Sequence, residues 1–572
     1  METRSPLSGL VVEVLAPQGA SVNAEAPVLV LEAMKMHHEV SSPAGGVVSE
    51  LHVAVGDQVR EGEVLFRVDP REESAAEEEG AHPERDLDEA RGDLAAVLAR
   101  RAKLADEARP EAVARVRERG RRTARENVGD LCDPGSFVEY GGLAVAAQRA
   151  RRPIEELIDR TPGDGIVTGL GSVNGAEHGE RASRCVVLAY DYAVLAGTQG
   201  IRGHKKTDRM LELAERERLP VVLFAEGGGG RPGDTDGSEL FHLVVPTFRS
   251  FARLSGLVPR VGIVSGRCFA GNAALLGCCD VVIATPDATL GMGGPAMIEG
   301  GGLGTYSPEE VGPVSVQAPN GVIDLVVGNE AAAVAAARRF LSYLQGPVFD
   351  PRAPDPHLLR DVVPEAPKRV HDVRRLAELL ADEGSVLELR RDFGRAMFTA
   401  FARLEGRAVG VLANDPRHLS GAIDSDAADK AARFVGLCDA FGLPVVSLVD
   451  TPGFMVGPEA EAEGLVRHAS RLFVAAATGR VPFVAVVVRR AFGLGAQAMA
   501  GAACTRRSPP LRGRAGSSAP WASRARCGSR CAASSSRSRI PPSASAASRR
   551  SSPRCARRAR RSTWRPTSRS MT

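Results

Sequence analysis

Two stretches near the start of the chain alternate apolar and polar residues and match each other at a spacing of 37. In residues 8–32 and 45–69, Gly9 corresponds to Gly46, Val11 to Val48, Gly19 to Gly56 and Val22 to Val59. Alternation of this period marks strands with one face on a core. Gly19 and Gly56 fall where tight turns are needed. The pattern predicts a small two-fold β-barrel with Lys35 at the tip of the hairpin joining its halves.

Residues 71–88 break the alternation. They are rich in Glu and Ala and poor in apolar residues, the composition of a solvated linker. Residues 85–128 have helical spacing and many charges, which predicts an exposed helical entry segment. From about 133 to 340, short apolar runs at 185–188, 221–224, 261–264 and 281–284 alternate with helical stretches such as 208–218. That is the pattern of an α/β domain.

A second set begins near 346. Asp382-Glu383-Gly384-Ser385 echoes Asp133-Pro134-Gly135-Ser136. Leu443-Pro444-Val445-Val446 echoes Leu219-Pro220-Val221-Val222 at a spacing of 224. Phe492-Gly493-Leu494-Gly495 echoes Phe269-Ala270-Gly271-Asn272 at a spacing of 223. A duplicated lobe is expected. The resulting division is 1–70 for the barrel, 71–106 for the acidic linker and entry segment, 107–345 and 346–501 for two α/β lobes, and 502–572 for a tail.

At 572 residues the chain exceeds what one core supports. It has no charged-then-apolar leader and no apolar run of bilayer length, so a soluble, cytoplasmic protein without a membrane partner is expected. Ten cysteines with no Cys-x-x-Cys argue against a disulfide framework and a structural zinc site, and no metal site is expected. Cys278 and Cys279 read as small core residues. The formal net charge of +3 hides an asymmetry. The tail's 18 arginines supply +18 without any Lys, Asp or Glu, so residues 1–501 carry −15.

Candidate chemistry begins with Glu32-Ala33-Met34-Lys35-Met36. A lysine set between two methionines after an apolar run reads as a modification site, its amine offered on a turn with soft apolar flanks. Three glycine-rich turns, at 226–233, 266–272 and 492–495, each follow a predicted strand. Small residues let the backbone approach a ligand, and successive N–H groups can converge on one oxygen. Such donors stabilise an enolate oxygen as its charge develops. Singly, each turn reads as an ordinary connection between strand and helix. Recurrence at matching places in two lobes points to a site. His37, His38 and His418 have no partners in the pattern that would give them an acid–base role.

Residues 6–69, with the Ala-Met-Lys-Met core, resemble the biotinyl domain family, which implies biotin in amide linkage on Lys35. Residues from about 107 to 501 resemble the carboxyltransferase subunits of biotin-dependent acyl-CoA carboxylases. The motifs are 133–139 (DPGSFVE), 197–214 (GTQGIRGHKKTDRMLELA), 266–274 (GRCFAGNAA), 424–434 (DSDAADKAARF), 450–455 (DTPGFM) and 492–499 (FGLGAQAM). The resemblance implies an all-β flattened barrel followed by two crotonase-like lobes, the first binding acyl-CoA and the second biotin. By the same resemblance, the Gly271 and Asn272 amides hold the thioester enolate. The Leu494 and Gly495 amides, beside Gly493, hold the biotin ureido oxygen. Gly228 and Gly229 line the CoA side, and Arg202, Lys205 and Lys206 are candidates for the CoA phosphates. Asn272 and Leu494 depart from the small residues usual at these places, and Gln497 departs from the family near the acyl pocket, leaving the acyl chain open.

The mechanism implied is positioning and oxyanion stabilisation, without metal or side-chain nucleophile. Carboxybiotin releases CO2 in a closed site, and the ureido nitrogen takes the α-proton. The enolate then attacks CO2. With no ATP-binding glycine loop evident, a separate biotin carboxylase and a biotin protein ligase are the implied partners. The active site is expected between subunits of a homo-oligomer. Transcarboxylation or decarboxylation on the same fold is the alternative, and a biotinylated carrier with defective lobes is a third reading.

The tail, 502–572, lacks hydrophobic periodicity and holds both tryptophans. At face value it is a basic arm for nucleic acid. A shifted reading frame accounts for it better, and with it nucleic-acid binding falls away. Ser517–Ser529 permits EFGAMGLEGAVRL and Ser568–Thr572 permits FEIDD in one common shifted register, both typical of these carboxyltransferases. The tail is therefore expected to be out of frame and disordered, and the second lobe truncated.

Overall fold

The computed structural model describes residues 1–33, 36–70, 90–236, 244–366, 368–502 and 511–512. The chain divides into two compact units, Met1–Ala95 and Ala96–Thr572.

The first unit contains eight strands: β1 (Glu2–Arg4), β2 (Gly9–Val14), β3 (Ser21–Val22), β4 (Pro27–Ala33), β5 (Met36–Ser41), β6 (Gly46–Leu51), β7 (Gln58–Val59) and β8 (Val64–Pro70). They form two four-stranded sheets, β1-β8-β6-β3 and β5-β4-β2-β7. The repeat seen in the sequence is a two-fold in space. Gly9 pairs with Val59 while Val22 pairs with Gly46, so each half lends a strand to the other's sheet. The bulges repeat too, between Val11 and Glu13 and between Val48 and Glu50. Gly19 (φ +93°) and Gly56 (φ +99°) adopt the left-handed turns that favour glycine. Their N–H groups donate reciprocally to Val48 O and Val11 O, both at 2.8 Å. Val11, Leu29, Leu31, Val48, Leu65 and Phe66 fill the space between the sheets.

Strands β4 and β5 pair antiparallel up to Ala33 opposite Met36. Met34 and Lys35 fall between them and lie outside the described residues, as does 71–89, which includes the predicted linker at 71–88. His37 and His38 fall on β5.

Helix Gly92–Ala102 straddles the division between the units, and helices Pro110–Glu118 and Ala124–Leu131 follow in the second, the last held by a Thr123–Glu126 capping box. The second unit's first sheet contains β9 (Val138–Glu139), β10 (Ile166–Ser172), β11 (Arg184–Tyr190), β12 (Val221–Phe224) and β13 (Arg260–Val264). A short pair, β14 (Arg267–Phe269) and β16 (Thr289–Gly291), flanks it, and β15 (Val281–Ala284) and β17 (Leu325–Val326) complete it. The order is β17-β15-β13-β12-β11-β10-β9. Strands β10 and β11 form an antiparallel hairpin, and β11 through β17 run parallel. The second sheet repeats the plan with β18 (Leu387–Leu389), β19 (Met397–Leu404), β20 (Arg407–Asn414), β21 (Val445–Thr451), β22 (Phe483–Ala491) and β23 (Leu511–Arg512).

The duplication extends to irregular backbone. Leu195 and Ala196 have positive φ, and so do Leu419 and Ser420, 224 residues on. The bridge Gln199–Gly230 recurs as Ile423–Phe454 at the same spacing. Helix Glu330–Gln345 lies between the lobes. Its Ala333, Val334, Ala337, Phe340 and Leu341 share one core with β11, β12, β13 and β15 on one side and β19 and β20 on the other. Cys279 is buried in the first lobe's own core, with Cys278 packed beside it.

The lobes differ at their far edge. Every residue of β13 is buried, whereas its counterpart β22 is mostly half-buried. The position matching β15 falls at 504–507, outside the described residues. Leu511–Arg512 pairs parallel with β22 at Val486 and Val487, so two residues of the predicted disordered tail add a short strand to the sheet.

Candidate active site

In each lobe a strand ends in a sharp turn that starts a short helix. In the first lobe, β14 leads through Ala270 (φ +51°) into helix Gly271–Gly277. In the second, β22 leads through Phe492 into helix Gly493–Met499, with Gly493 at φ +60°. The first N–H groups of a helix have no partner within it. Among the described residues, nothing accepts from the N–H groups of Gly271, Asn272, Leu494 or Gly495. These are the residues the sequence motifs single out, and each pair supplies two adjacent backbone donors.

Close packing explains the glycines. A Cβ on Gly271 would sit 2.1 Å from Gln199 Oε1, and one on Gly229 would sit 2.6 Å from the Ala270 Cβ. The turn after β12 therefore lies directly against the turn before the Gly271 helix, and the structure brings Gly228, Gly229, Gly271 and Asn272 together. Gly228 is exposed while Gly229 and Asn272 are buried. In the second lobe a Cβ on Gly495 would sit 2.8 Å from Gly453, so the 450–455 turn packs there in the same way. Leu494 is 62% exposed, leaving its backbone approachable.

The basic residues proposed for CoA phosphates separate. Lys205 is exposed, and Arg202 is exposed within 3.8 Å of Asp236. Lys206 turns inward, where its Nζ donates to Gly163 O (2.8 Å) and Ile166 O (2.5 Å), and burial pushes its pKa down to about 8. Its counterpart Lys430, 1% exposed, does the same with Arg390 O (2.7 Å) and Phe393 O (2.9 Å), and burial lowers it to about 7. Lys206 is thus a duplicated internal strut, not a surface cation. The start of helix Ile201–Glu217 is also occupied. Asp234 accepts from Ile201 N–H (2.9 Å) and Asp164 from Gly203 N–H (2.6 Å), so the anion favoured at a helix N-terminus is built in.

Three residues within these turns and motifs, Arg231, Asp450 and Glu226, have roles that the sequence did not assign. Arg231, 6% exposed, pairs with Asp164 and lies 3.4 Å from Asp234 Oδ1. It also donates to Thr198 O (2.9 Å) and Thr198 Oγ1 (3.1 Å), tying the glycine turn to the 195–199 loop. Asp450, 1% exposed, accepts from Arg490 Nε (2.7 Å) and Arg489 Nη2 (3.0 Å). Among the described residues, no arginine forms an ion pair with its counterpart at a spacing of 224, Glu226, although Arg119 and Arg121 lie in the same cavity. The equivalent of Arg490, Arg267, pairs with the exposed Glu309 instead. Glu226 lines a small cavity with Arg119, Arg121, Asn127, Asp191 and Ser265, and burial pushes its carboxyl up to about 7. The repeat spacing was the signal that relates these residues. His418 follows Asp415, whose backbone carbonyl accepts from its N–H (3.1 Å), and burial lowers its pKa.

Comparison with known proteins decides the family. The carboxyl transferase domain model matches residues 115–508, and the model for biotin-requiring enzymes matches residues 2–68. The chain belongs to the carboxyl transferase family. The carboxyltransferase is 36% identical to the biotin-dependent long chain acyl-coenzyme A carboxylase beta4 subunit of Mycobacterium tuberculosis, over 71% of this chain and 77% of the relative. It is 33% identical to the methylmalonyl-CoA carboxyltransferase 12S subunit of Propionibacterium freudenreichii, over 65% of this chain and 71% of that one. Among solved structures it matches a single-chain, multi-domain long-chain acyl-CoA carboxylase (TM-score 0.71, 53% identity, 88% of this chain) and spans 48% of that protein's length. It also matches the transcarboxylase 12S hexamer core (TM-score 0.63, 30% identity, 72% of this chain and 80% of that one). The flattened barrel and the two crotonase-like lobes expected from the sequence are the folds found. Among the described residues, no helix is long and apolar enough to cross a membrane, and no three or more His, Cys, Asp or Glu are placed to hold a metal.

Proposed function

We propose that this carboxyltransferase delivers a carboxyl group to the α-carbon of an acyl-CoA, with both the carrier lysine, Lys35, and the receiving lobes on one chain. The observation that carries the reading is the pair of matching turns, each presenting two backbone N–H groups without a partner among the described residues. Biotin, amide-linked to Lys35, supplies the carboxyl group. The donor set fits it: the adjacent Leu494 and Gly495 N–H groups, with no acceptor among the described residues, match the single carbonyl oxygen of a ureido ring.

In the first lobe the Gly271 and Asn272 N–H groups point where a thioester oxygen would gain charge as the α-proton leaves. Fixed donors stabilise that charge without reorganising, and removing one such donor costs about 10²–10³ in rate. Gly228 gives the acyl chain room beside them. Arg202 and Lys205 stand exposed at the start of the Ile201–Glu217 helix and serve the CoA phosphates, while Lys206 holds the helix in place. A separate biotin carboxylase loads the carrier, a biotin protein ligase attaches the biotin, and the cytoplasmic protein works as a homo-oligomer with its sites between subunits.

Long-chain and methylmalonyl acyl groups are those in the names of the two relatives. The similarity to the 12S subunit keeps transcarboxylation as a second reading. Incubating the biotinylated protein with a biotin carboxylase, ATP, bicarbonate and a panel of acyl-CoAs separates them. Carboxylation of an acyl-CoA supports the first reading. Transfer from a carboxylated acyl-CoA to a keto acid, with no ATP-dependent product, supports the second.

A further inference from the structure

Asn272 stands where its family commonly has a residue with little or no side chain, and its side chain is fully enclosed, at 0% exposure. A buried amide has to satisfy one acceptor and two donor positions. Here all are met, and by three separate pieces of backbone. Gly229 N–H donates to Oδ1 (3.1 Å), and Nδ2 donates to Gly197 O (3.3 Å) and Glu226 O (3.2 Å). The partners fix the amide's orientation, because one end faces an N–H and the other faces two carbonyls.

Those partners belong to the 195–199 loop and to the start and middle of the glycine turn after β12. Asn272 itself belongs to the helix whose first N–H groups form the proposed oxyanion site. The surroundings leave no slack. A Cβ on Gly227 would lie 2.9 Å from Asn272 Nδ2, and one on Gly271 would lie 2.1 Å from Gln199 Oε1. Gln199 is in turn fixed by Tyr190 Oη (3.0 Å from Nε2) and through its own N–H by Gly229 O (2.7 Å).

The second lobe closes the same joint differently. The counterparts of Asn272 and Gly229 are Gly495 and Gly453, and there backbone meets backbone: a Cβ on Gly495 would sit 2.8 Å from Gly453. The first lobe has one side-chain amide inserted where the second has none.

We infer that the Asn272 side chain is a positioning residue that sets the spacing between the Gly271–Asn272 donors and the Gly228–Gly229 turn, and thereby aims those donors at the acyl-CoA oxyanion. This rests on the acyl-CoA reading of the first lobe. It acts through backbone groups and touches no reacting atom. Its effect therefore falls on binding of the charged state, not on binding of CoA as such.

Two CoA thioethers test this on the full chain without requiring turnover. One carries a nitronate, with its negative charge on oxygen as in a thioester enolate; the other is its neutral alkyl analogue. The unaltered protein is expected to bind the nitronate about 10² tighter than the neutral thioether, the lower end for analogues of a charged transition state. Asn272→Ala is expected to lose tenfold or more of that preference while affinity for the neutral thioether changes less than about threefold, since uniform contacts to CoA remain. Asn272→Asp, almost the same size, keeps the acceptor for Gly229 N–H but sets a carboxylate against two carbonyls. It is expected to lose the preference as well, even if the alanine variant does not fold. A full nitronate preference in either folded variant overturns the role of Asn272. An equal loss for both thioethers does so too, because it marks a merely structural part. Absence of any preference in the unaltered protein overturns the acyl-CoA reading itself.

Discussion

Glu226 and Asp450 occupy matching places behind the two glycine turns but differ in company. Asp450 is held by two arginines, and Glu226 shares a cavity with Asp191 and lies near Glu330. Burial raises the Glu226 carboxyl from 4.5 in the open chain to about 7. A raised carboxyl binds its proton more tightly in the folded state, so its contribution to stability is fully present below pH 4.5 and lost as pH rises to about 7. Glu226→Gln removes the titration. Thermal melts should show the variant gaining on the unaltered protein as pH goes from 4.5 to 8, with the gap flat above that. A pH-independent gap would contradict the assignment. The residue scale is also where the sequence was least legible. Lys206 sits in a run of basic residues and reads as a surface cation until its carbonyl partners, 40 and 43 residues earlier, are seen. Asn272 reads as a side-chain substitution that a backbone donor tolerates, because its three contacts come from remote loops.

Elements were read more readily. The 37-residue repeat of the barrel appears in the sequence as matched glycines and alternation, and both properties are local. The strands at 221–224 and 281–284 match their predicted spans because short, fully buried parallel strands are continuous apolar runs. What joins the elements was not legible, since an ion pair between positions 164 and 231 leaves no periodic trace. That pair is testable. Arg231→Ala leaves Asp164, whose side chain is 0% exposed, without its arginine. Removing one partner of a buried pair costs about 3–5 kcal/mol. Chemical unfolding should show a loss of that size. Truncating Arg209, whose partner Glu212 is exposed, should cost about 0.5 kcal/mol or less. Equal effects would mean that the buried pair contributes no more than a surface one.

On the scale of the whole molecule, the two lobes are copies with unequal edges. Strand β22 keeps apolar residues half-exposed where β13 buries all of its own. This is the edge that a frame-shifted continuation after Gly501 would cover, and we propose that residues 502–572 are out of frame. Restoring the frame should raise the melting temperature and the soluble yield. Unchanged values for both would count against the shift.

We propose that Lys35 carries the carboxyl group to lobes encoded on the same polypeptide. The direct measurement follows isotope-labelled bicarbonate into acyl-CoA, using the biotinylated, frame-restored protein with a biotin carboxylase and ATP, beside its Lys35→Ala variant. Acid-stable label is expected in the acyl-CoA product with Lys35 present and none with alanine. Equal labelling by both proteins, or labelling by neither, would contradict it.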